Sequence, residues 1–289
     1  LAKAICNIKN SIWFGWYHHN RAAALGECGF QGYQPGMDNQ SLVELAVRLV
    51  EAASIEILEV RDAGFTVQSK DDTTPVTLAD MRAERVITEG LRAATPHIPV
   101  IAEEEVAAGK VTHPGDVYWL VDPLDGTREF AAGRPEYAVN IALIRDGRAV
   151  LAAVASPATH EVYYGIVGVG AWKKSLQGTQ PIAARTAPPE GLTIMASRHY
   201  KDDPALAAYL SQFKIASVTN IGSALKFCYL AEGKADFYPR LGRTMEWDTA
   251  APQAVLEAAG GCVLTMDGAP MKYGKPGFEN PHFVCWGKR

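Results

Sequence analysis

The segment Tyr137 to Ala158, YAVNIALIRDGRAVLAAVASPA, leaves the chain little choice of local structure. Two apolar runs flank Asp146-Gly147, a dipeptide that turns one antiparallel strand into the next, so a β-hairpin is expected here. Short strands are expected before it at IPVIAEEE and VYWLVD, and after it at EVYYGIV and AWKK. The pattern changes around Pro188-Pro189. Strand-like LTIMAS, IASVTNI, ADFYPR and CVLTMDG then alternate with helical DPALAAYLSQF, SALKFCYLAEG and DTAAPQAVLEAAGG, with Gly233 as one stop. The first part reads as antiparallel and mixed, the second as α/β.

Upstream of the hairpin, Leu42, Leu45, Ala46, Leu49, Val50 and Ala53 recur at helical spacing behind Asn39 and Ser41 as caps. A second helix is expected from about Leu78 or Asp80 to Ala94, with Met81, Val86, Ile87 and Leu91 on its apolar face and Pro96 as its stop. Residues 1–36 carry Trp13, Trp16, His18 and His19 without a helical or strand period. Met37 opens MDNQSLVELAVRLVEAAS, which reads like a natural beginning. We therefore expect 1–36 to be an irregular N-terminal extension, followed by an α+β part over 37–187 and an α/β part over 188–289.

The balance of residues excludes several classes. At 289 residues, 48% hydrophobic and 21% charged, the chain can build one large or two medium domains. A net charge of -4 without a basic run argues against nucleic-acid binding, while local Lys and Arg still allow a phosphorylated small molecule. The five cysteines are scattered and form no CxxC, which supports neither a disulfide framework nor a zinc ribbon and suits a reducing cytoplasm. No apolar stretch is long enough to span a bilayer, so stable membrane insertion is not expected.

The chemistry concentrates in acids at the ends of apolar elements. Glu103 follows PVIA, Asp122 follows YWLV, Asp125 comes one turn later in LVDPLDGTREF, and Asp248 stands just before a helix. Ends of strands converge on a crevice in α/β proteins. Carboxylates gathered there favour hard, oxygen-seeking cations. Pro123 stiffens the turn so that Asp122 and Asp125 can face the same ions with the Leu124 carbonyl inward. The N–H groups of Gly126 and Thr127, ahead of a helix start, form an anion seat. Taken singly, each has a plainer reading: Asp-Gly-Thr is a common turn, Asp248 suits a helix N-cap, and EEE is commonly a solvated loop. Their joint position at element ends favours one shared metal site. GVGAWKKS (168–175) is no P-loop, because Lys173 stands where GxxxxGK[ST] requires glycine. It reads as strand and turn.

With these residues in hand, DPLDGTREF, the upstream EE, PVTLADMRAE and WDTAAPQAVLEAAGG resemble the inositol-monophosphatase-like, magnesium-dependent, lithium-sensitive phosphatases. Within that family the chain looks most like the bacterial 3′(2′),5′-bisphosphate nucleotidases of sulfur metabolism, through DGTREF, GSALKFCYLAEGKADFYPR and YGKPGFENPHFV. The resemblance covers about Met37 to the C-terminus. It implies a layered αβαβα sandwich of the α/β (α+β) class, with metals held by 37–187 and the site completed by 188–289. It implies two or three Mg²⁺ ions held by Glu103, Asp122, the Leu124 carbonyl, Asp125 and Asp248. It implies Asp80, Thr127 and Glu103 as the catalytic set that orients and deprotonates water. Substrate contacts are implied for Glu103, Leu124, Asp125, Gly126, Thr127, Ser223, Lys226 and Asp248.

Two departures stand out. The family often has Ser-Arg-Ser-His in the loop that meets the nucleotide, whereas this chain has ASRHY (196–200), which leaves the role of His199 open. Ala102 stands where Ser or Gly is usual. The implied reaction is hydrolysis of the 3′-phosphate of adenosine 3′,5′-bisphosphate to AMP and phosphate, in the cytoplasm or peripherally at the inner membrane, with a homodimer as a candidate assembly. The alternatives are an inositol-monophosphate or sugar-phosphate phosphatase and a silent metal- or nucleotide-binding homologue. Lys226 and Arg240 can meet a second phosphate, or form a solvated helix face and a strand-end charge.

Overall fold

The computed structural model describes residues 37–63, 68–69, 75–76, 78–110, 112–198 and 204–289. The extension expected over 1–36 and the loop residue His199 lie outside them. Helix α1 (Asn39–Ala63) begins where Asp38 Oδ1 accepts the Ser41 N–H at 2.8 Å, so Asp38 is the cap rather than Asn39 or Ser41. It runs past Ala53 because Ile57 and Val60 continue the buried stripe. The short pair β1 (Gln68–Ser69) and β2 (Pro75–Val76) precedes α2 (Leu78–Ala94). The buried face of α2 is Ala79, Asp80, Ala83, Glu84, Ile87, Thr88 and Leu91, while Met81, expected inside, is 58% exposed. Two acids thus occupy a face that hydrophobic spacing alone does not select.

The chain then enters a seven-stranded sheet whose strands lie in sequence order. They are β3 (Val100–Ala102), β4 (Val117–Asp125), β5 (Ala138–Arg145), β6 (Arg148–Ser156), β7 (Glu161–Ile166), β8 (Gly170–Ser175) and β9 (Gly178–Ile182). Only β3 and β4 pair in parallel. Short helices α3 (Glu103–Ala107) and α4 (Thr127–Ala131) follow β3 and β4. The expected hairpin is β5–β6, and Asp146 and Gly147 both take positive φ, 51° and 70°. The GVGAWKKS segment is turn and strand, as its missing glycine implied.

The second sheet, in the order β11-β10-β12-β14-β13, is built from β10 (Leu192–Ser197), β11 (Ile215–Ile221), β12 (Phe237–Arg240), β13 (Cys262–Thr265) and β14 (Phe283–Trp286). It is mixed: β10 pairs in parallel with β11 and β12, whereas β12, β14 and β13 pair antiparallel. Its helices are α5 (Pro204–Leu210), α6 (Leu225–Ala231) and α7 (Glu246–Ala258).

Alternation along β5 explains the layering. Val139, Ile141 and Leu143 pack in one cluster with α1 and α2, whereas Ala138, Ala142 and Ile144 share another with α6 and α7. On the far side of the second sheet, Leu206 and Leu210 of α5 pack with Ile194, Phe237 and Val284. The result is helices, sheet, helices, sheet, helix: the αβαβα sandwich expected. No helix among the described residues is long and apolar enough to cross a membrane.

The Trp119 indole N–H, fully buried on β4, donates to Thr95 Oγ1 at 3.0 Å at the end of α2. Thr95→Val keeps the shape but strands that N–H, which costs roughly 1–3 kcal/mol. Urea denaturation should show a lower midpoint with an unchanged slope; an unchanged midpoint would contradict this role for Thr95.

Candidate active site

Strand β4 breaks register with β5 between Asp122 and Asp125, where Pro123 offers no N–H to the ladder. The resulting bulge aims both aspartates into one pocket. Asp122 is 1% exposed, and its Oδ1 accepts the Leu124 N–H at 3.0 Å. Asp125 Oδ2 accepts the N–H of Ala224, from the loop between β11 and α6. The third acid, Asp248, lies in the first turn of α7 and not ahead of the helix as the sequence suggested. The N-cap is Met245, and Asp248 Oδ2 accepts its N–H at 2.8 Å. Carboxylate oxygens of Asp122, Asp125 and Asp248 all lie within 4.8 Å of one another.

The pocket wall also contains Glu103, Leu124, Gly126, Thr127, Ser223 and Lys226. It thus unites the residues expected at the site, except Asp80. Glu103 opens α3 and lies outside the tight trio, yet its charge acts on Asp122. Asp80 does not form part of the wall; it is buried on α2, and its charge also reaches Asp122. Thr127 Oγ1 lies 3.3 Å from the Leu124 carbonyl oxygen. Gly126 caps α4 at φ 95°, where a Cβ would come within 3.0 Å of the Glu136 carbonyl oxygen.

Lys226 is no solvated helix charge: it is 3% exposed, and its Nζ donates to the carbonyls of Ser223 at 2.5 Å and Ile221 at 3.3 Å. It thereby holds the turn at Ser223, whose φ is 55°. Arg240 lines the same pocket from the end of β12, so the pocket holds acids from β4 and α7 and bases from α6 and β12.

Electrostatics mark the acidic side as incomplete. Burial, then Glu103, Asp125, Asp248 and Asp80, pushes the Asp122 carboxyl well above its usual range. Burial and Asp248 raise Asp125 to about 7 against the opposing pull of Lys226, and burial raises Asp248. Burial lowers Lys226 to about 8 although Asp125 favours its charge. On the face shared with Asp122, Asn140 is its cross-strand partner, fully buried, with no protein partner for its side-chain amide. An all-oxygen set of crowded carboxylates, Asp122 buried and Asp125 and Asp248 half-buried, fits a hard divalent cation such as Mg²⁺.

One supporting residue escaped the sequence reading. Glu84, one turn after Asp80 on α2, accepts the Glu104 N–H at 2.7 Å and braces the acidic turn that begins at Glu103. Burial raises it to about 7. The available signal was DMRAE, two acids spaced to share one helix face.

The profile of the inositol monophosphatase family matches residues 38–283, and the chain belongs to that family. It is 42% identical over 245 residues to the 3′(2′),5′-bisphosphate nucleotidase CysQ of Salmonella typhimurium, spanning 84% of this chain and 98% of that protein. A protein of the same description from Haemophilus influenzae is 33% identical over 76% of this chain and 83% of its own length. Among solved structures, CysQ from Bacteroides thetaiotaomicron superposes with a TM-score of 0.73 at 31% identity, covering 88% of this chain and 100% of that chain. The inositol monophosphatase of Anabaena (Nostoc) sp. PCC 7120, 24% identical with a TM-score of 0.69 over 86% of this chain and 91% of its own, shares the fold.

The raised carboxyls carry a sign. Between about pH 4 and pH 7 the unfolded chain releases protons that folded Asp122, Asp125 and Glu84 retain, so the unfolded state binds fewer protons and stability falls as pH rises. With a chelator present, the melting temperature should decline across that interval. A melting temperature that climbs throughout it would contradict the arrangement.

Proposed function

We propose that this member of the family is a magnesium-dependent phosphatase that removes the 3′-phosphate of adenosine 3′,5′-bisphosphate, giving AMP and inorganic phosphate. The observation that carries this reading is one pocket that gathers three converging carboxylates together with Lys226 and Arg240. A dication on the acids and a substrate with more than one phosphate suit that combination. The relatives described as bisphosphate nucleotidases support the substrate.

In this reading Asp122, Asp125, Asp248, Glu103 and the Leu124 carbonyl hold two or three Mg²⁺ ions. Bound there, the ions would neutralise phosphate charge, raise the acidity of water and stabilise the leaving oxygen. The Gly126 and Thr127 N–H groups and Ser223 hold the phosphate that is cleaved. Thr127 Oγ1 orients the attacking water, and Asp80 accepts the proton relayed from it. Water oxygen bonds to phosphorus, the P–O3′ bond breaks, the 3′ oxygen takes a proton from a solvent water, and the proton on Asp80 returns to solvent. Lys226, through its bonds to the Ser223 loop, shapes the phosphate seat, while Arg240 is placed to meet the second phosphate. The three described cysteines are free thiols, which suits a cytoplasmic setting.

Phosphate release from adenosine 3′,5′-bisphosphate, inositol monophosphate and fructose bisphosphate, each with magnesium and with chelator, tests the reading. Magnesium-dependent turnover should favour the adenosine substrate. Arg240→Ala should raise KM for it, on the order of tenfold or more for a lost charged contact, with little change in kcat. The same variant should leave a monophosphate substrate nearly unaffected. Equal losses on both substrates would remove Arg240 from second-phosphate recognition, and preferred hydrolysis of inositol monophosphate would favour the inositol-phosphatase alternative.

A further inference from the structure

Asp248 differs from the other two clustered acids in how it is held. Asp122 and Asp125 share a sheet-bound bulge, whereas Asp248 rides on the first turn of α7. One of its oxygens already accepts the Met245 N–H, and the β4 carboxylates repel it. Something outside the helix must keep that turn in place.

The tail that follows β13 supplies the restraint. Asn280, 6% exposed, donates through Nδ2 to the Met245 carbonyl at 2.6 Å, to Thr249 Oγ1 at 3.0 Å and to Thr244 Oγ1 at 3.3 Å. Its backbone N–H donates to the Thr244 carbonyl at 2.9 Å. These three residues bracket Asp248, and Thr244 and Thr249 line the pocket. Earlier in the tail, the N–H groups of Gly274 and Lys275 donate to the fully buried Glu246, the first residue of α7, at 2.7 and 2.9 Å. Lys275 Nζ pairs with Glu246 at 2.6 Å and reaches Asn280 Oδ1 at 3.2 Å. Tyr273, from the same segment, donates to Gln253 Oε1 at 2.6 Å, one turn further along α7. The segment 273–280 is therefore a strap bonded side by side along the start of α7.

We infer that this strap is a metal-positioning device, with Asn280 as the positioning residue that fixes Asp248 opposite Asp122 and Asp125. The inference rests on the reading of these acids as magnesium ligands. No residue of the strap lines the pocket; it acts through the first turn of α7. Loss of its donors lets that turn yield to carboxylate repulsion, so the cost falls on cation affinity and not on the phosphate seat contributed by Gly126 and Thr127.

The test is Asn280→Asp, which keeps the size and the acceptor for Lys275 but removes both amide donors. Magnesium binding, followed by calorimetry and by the magnesium-induced rise in melting temperature, should weaken on the order of 10–100-fold, as for other residues behind metal ligands. Turnover should recover as magnesium is raised, with KM for the bisphosphate little changed. Thr95→Val is the control for general loss of stability, because it acts on the opposite face of the first sheet. Unchanged magnesium affinity in Asn280→Asp while the parent protein binds magnesium would overturn the strap inference alone. Equal weakening in Thr95→Val would also overturn it, by showing that affinity merely follows stability. A parent protein that binds no magnesium would overturn this inference and the proposed function together.

Discussion

The mutual repulsion of Asp122, Asp125 and Asp248 is the constraint around which the rest of the structure is arranged. Carboxylate oxygens within 4.8 Å of one another, largely removed from water, are an unfavourable thing for a fold to build. The chain builds it by anchoring each acid separately. Asp122 is tied to the Leu124 N–H, Asp125 to the Ala224 N–H and Asp248 to the Met245 N–H. Each anchor takes up one oxygen and leaves the other side of the carboxylate for an occupant of the pocket. Lys226, the only buried base beside them among the described residues, is occupied with the Ser223 turn and offsets the charge of Asp125 only in part. The electrostatic remainder is what a divalent cation would neutralise.

The layered fold serves that arrangement. Strand β4 lies between helices on both of its faces, so Asp122 can be desolvated while Trp119 and Val121 on the other face join the α1 and α2 core. Helix α7 packs across β4 to β7 and also against β13, which places its first turn over the β4 bulge. The loop before α6 and the first turn of α6 complete the wall through Ala224 and Lys226. The acids come from β4 and α7 and the bases from α6 and β12, so the first sheet, the middle helices and the second sheet all contribute to the pocket.

Much of this was legible in the sequence because it rests on local rules. The Asp146-Gly147 hairpin, the Gly126 turn, and the strand and helix alternation after Pro188 each follow from backbone preference and hydrophobic period. What failed to show was polar structure that breaks the period. The spacing on α2 pointed to Met81, yet the buried face carries Asp80 and Glu84, because those acids serve the site instead of the core. The start of α7 was placed too late because Met245 is not a usual cap, and the capping carboxylate is Asp248 itself, three residues in. Strands β9 and β14 were missed because GTQPI is exposed and polar, and FVCW is short and defined only by partners distant in sequence. The burial of Lys226 likewise depends on tertiary packing that no local pattern encodes. The family resemblance supplied the set of acids; the structure supplies what holds each of them.

The most direct measurement compares the melting temperatures of the parent protein and Asp122→Asn, each in chelator and in magnesium, near neutral pH. Burial first, and then the charges of Glu103, Asp125, Asp248 and Asp80, outweigh the Leu124 N–H and disfavour the charge of the Asp122 carboxyl, and the amide can still accept that N–H. Whether Asp122 stays charged against its neighbours or takes up a proton, the metal-free fold bears a cost that asparagine removes. The account predicts that Asp122→Asn melts higher than the parent in chelator and loses the magnesium-induced rise that the parent shows. A variant that melts lower in chelator, or that keeps the full magnesium response, would contradict it.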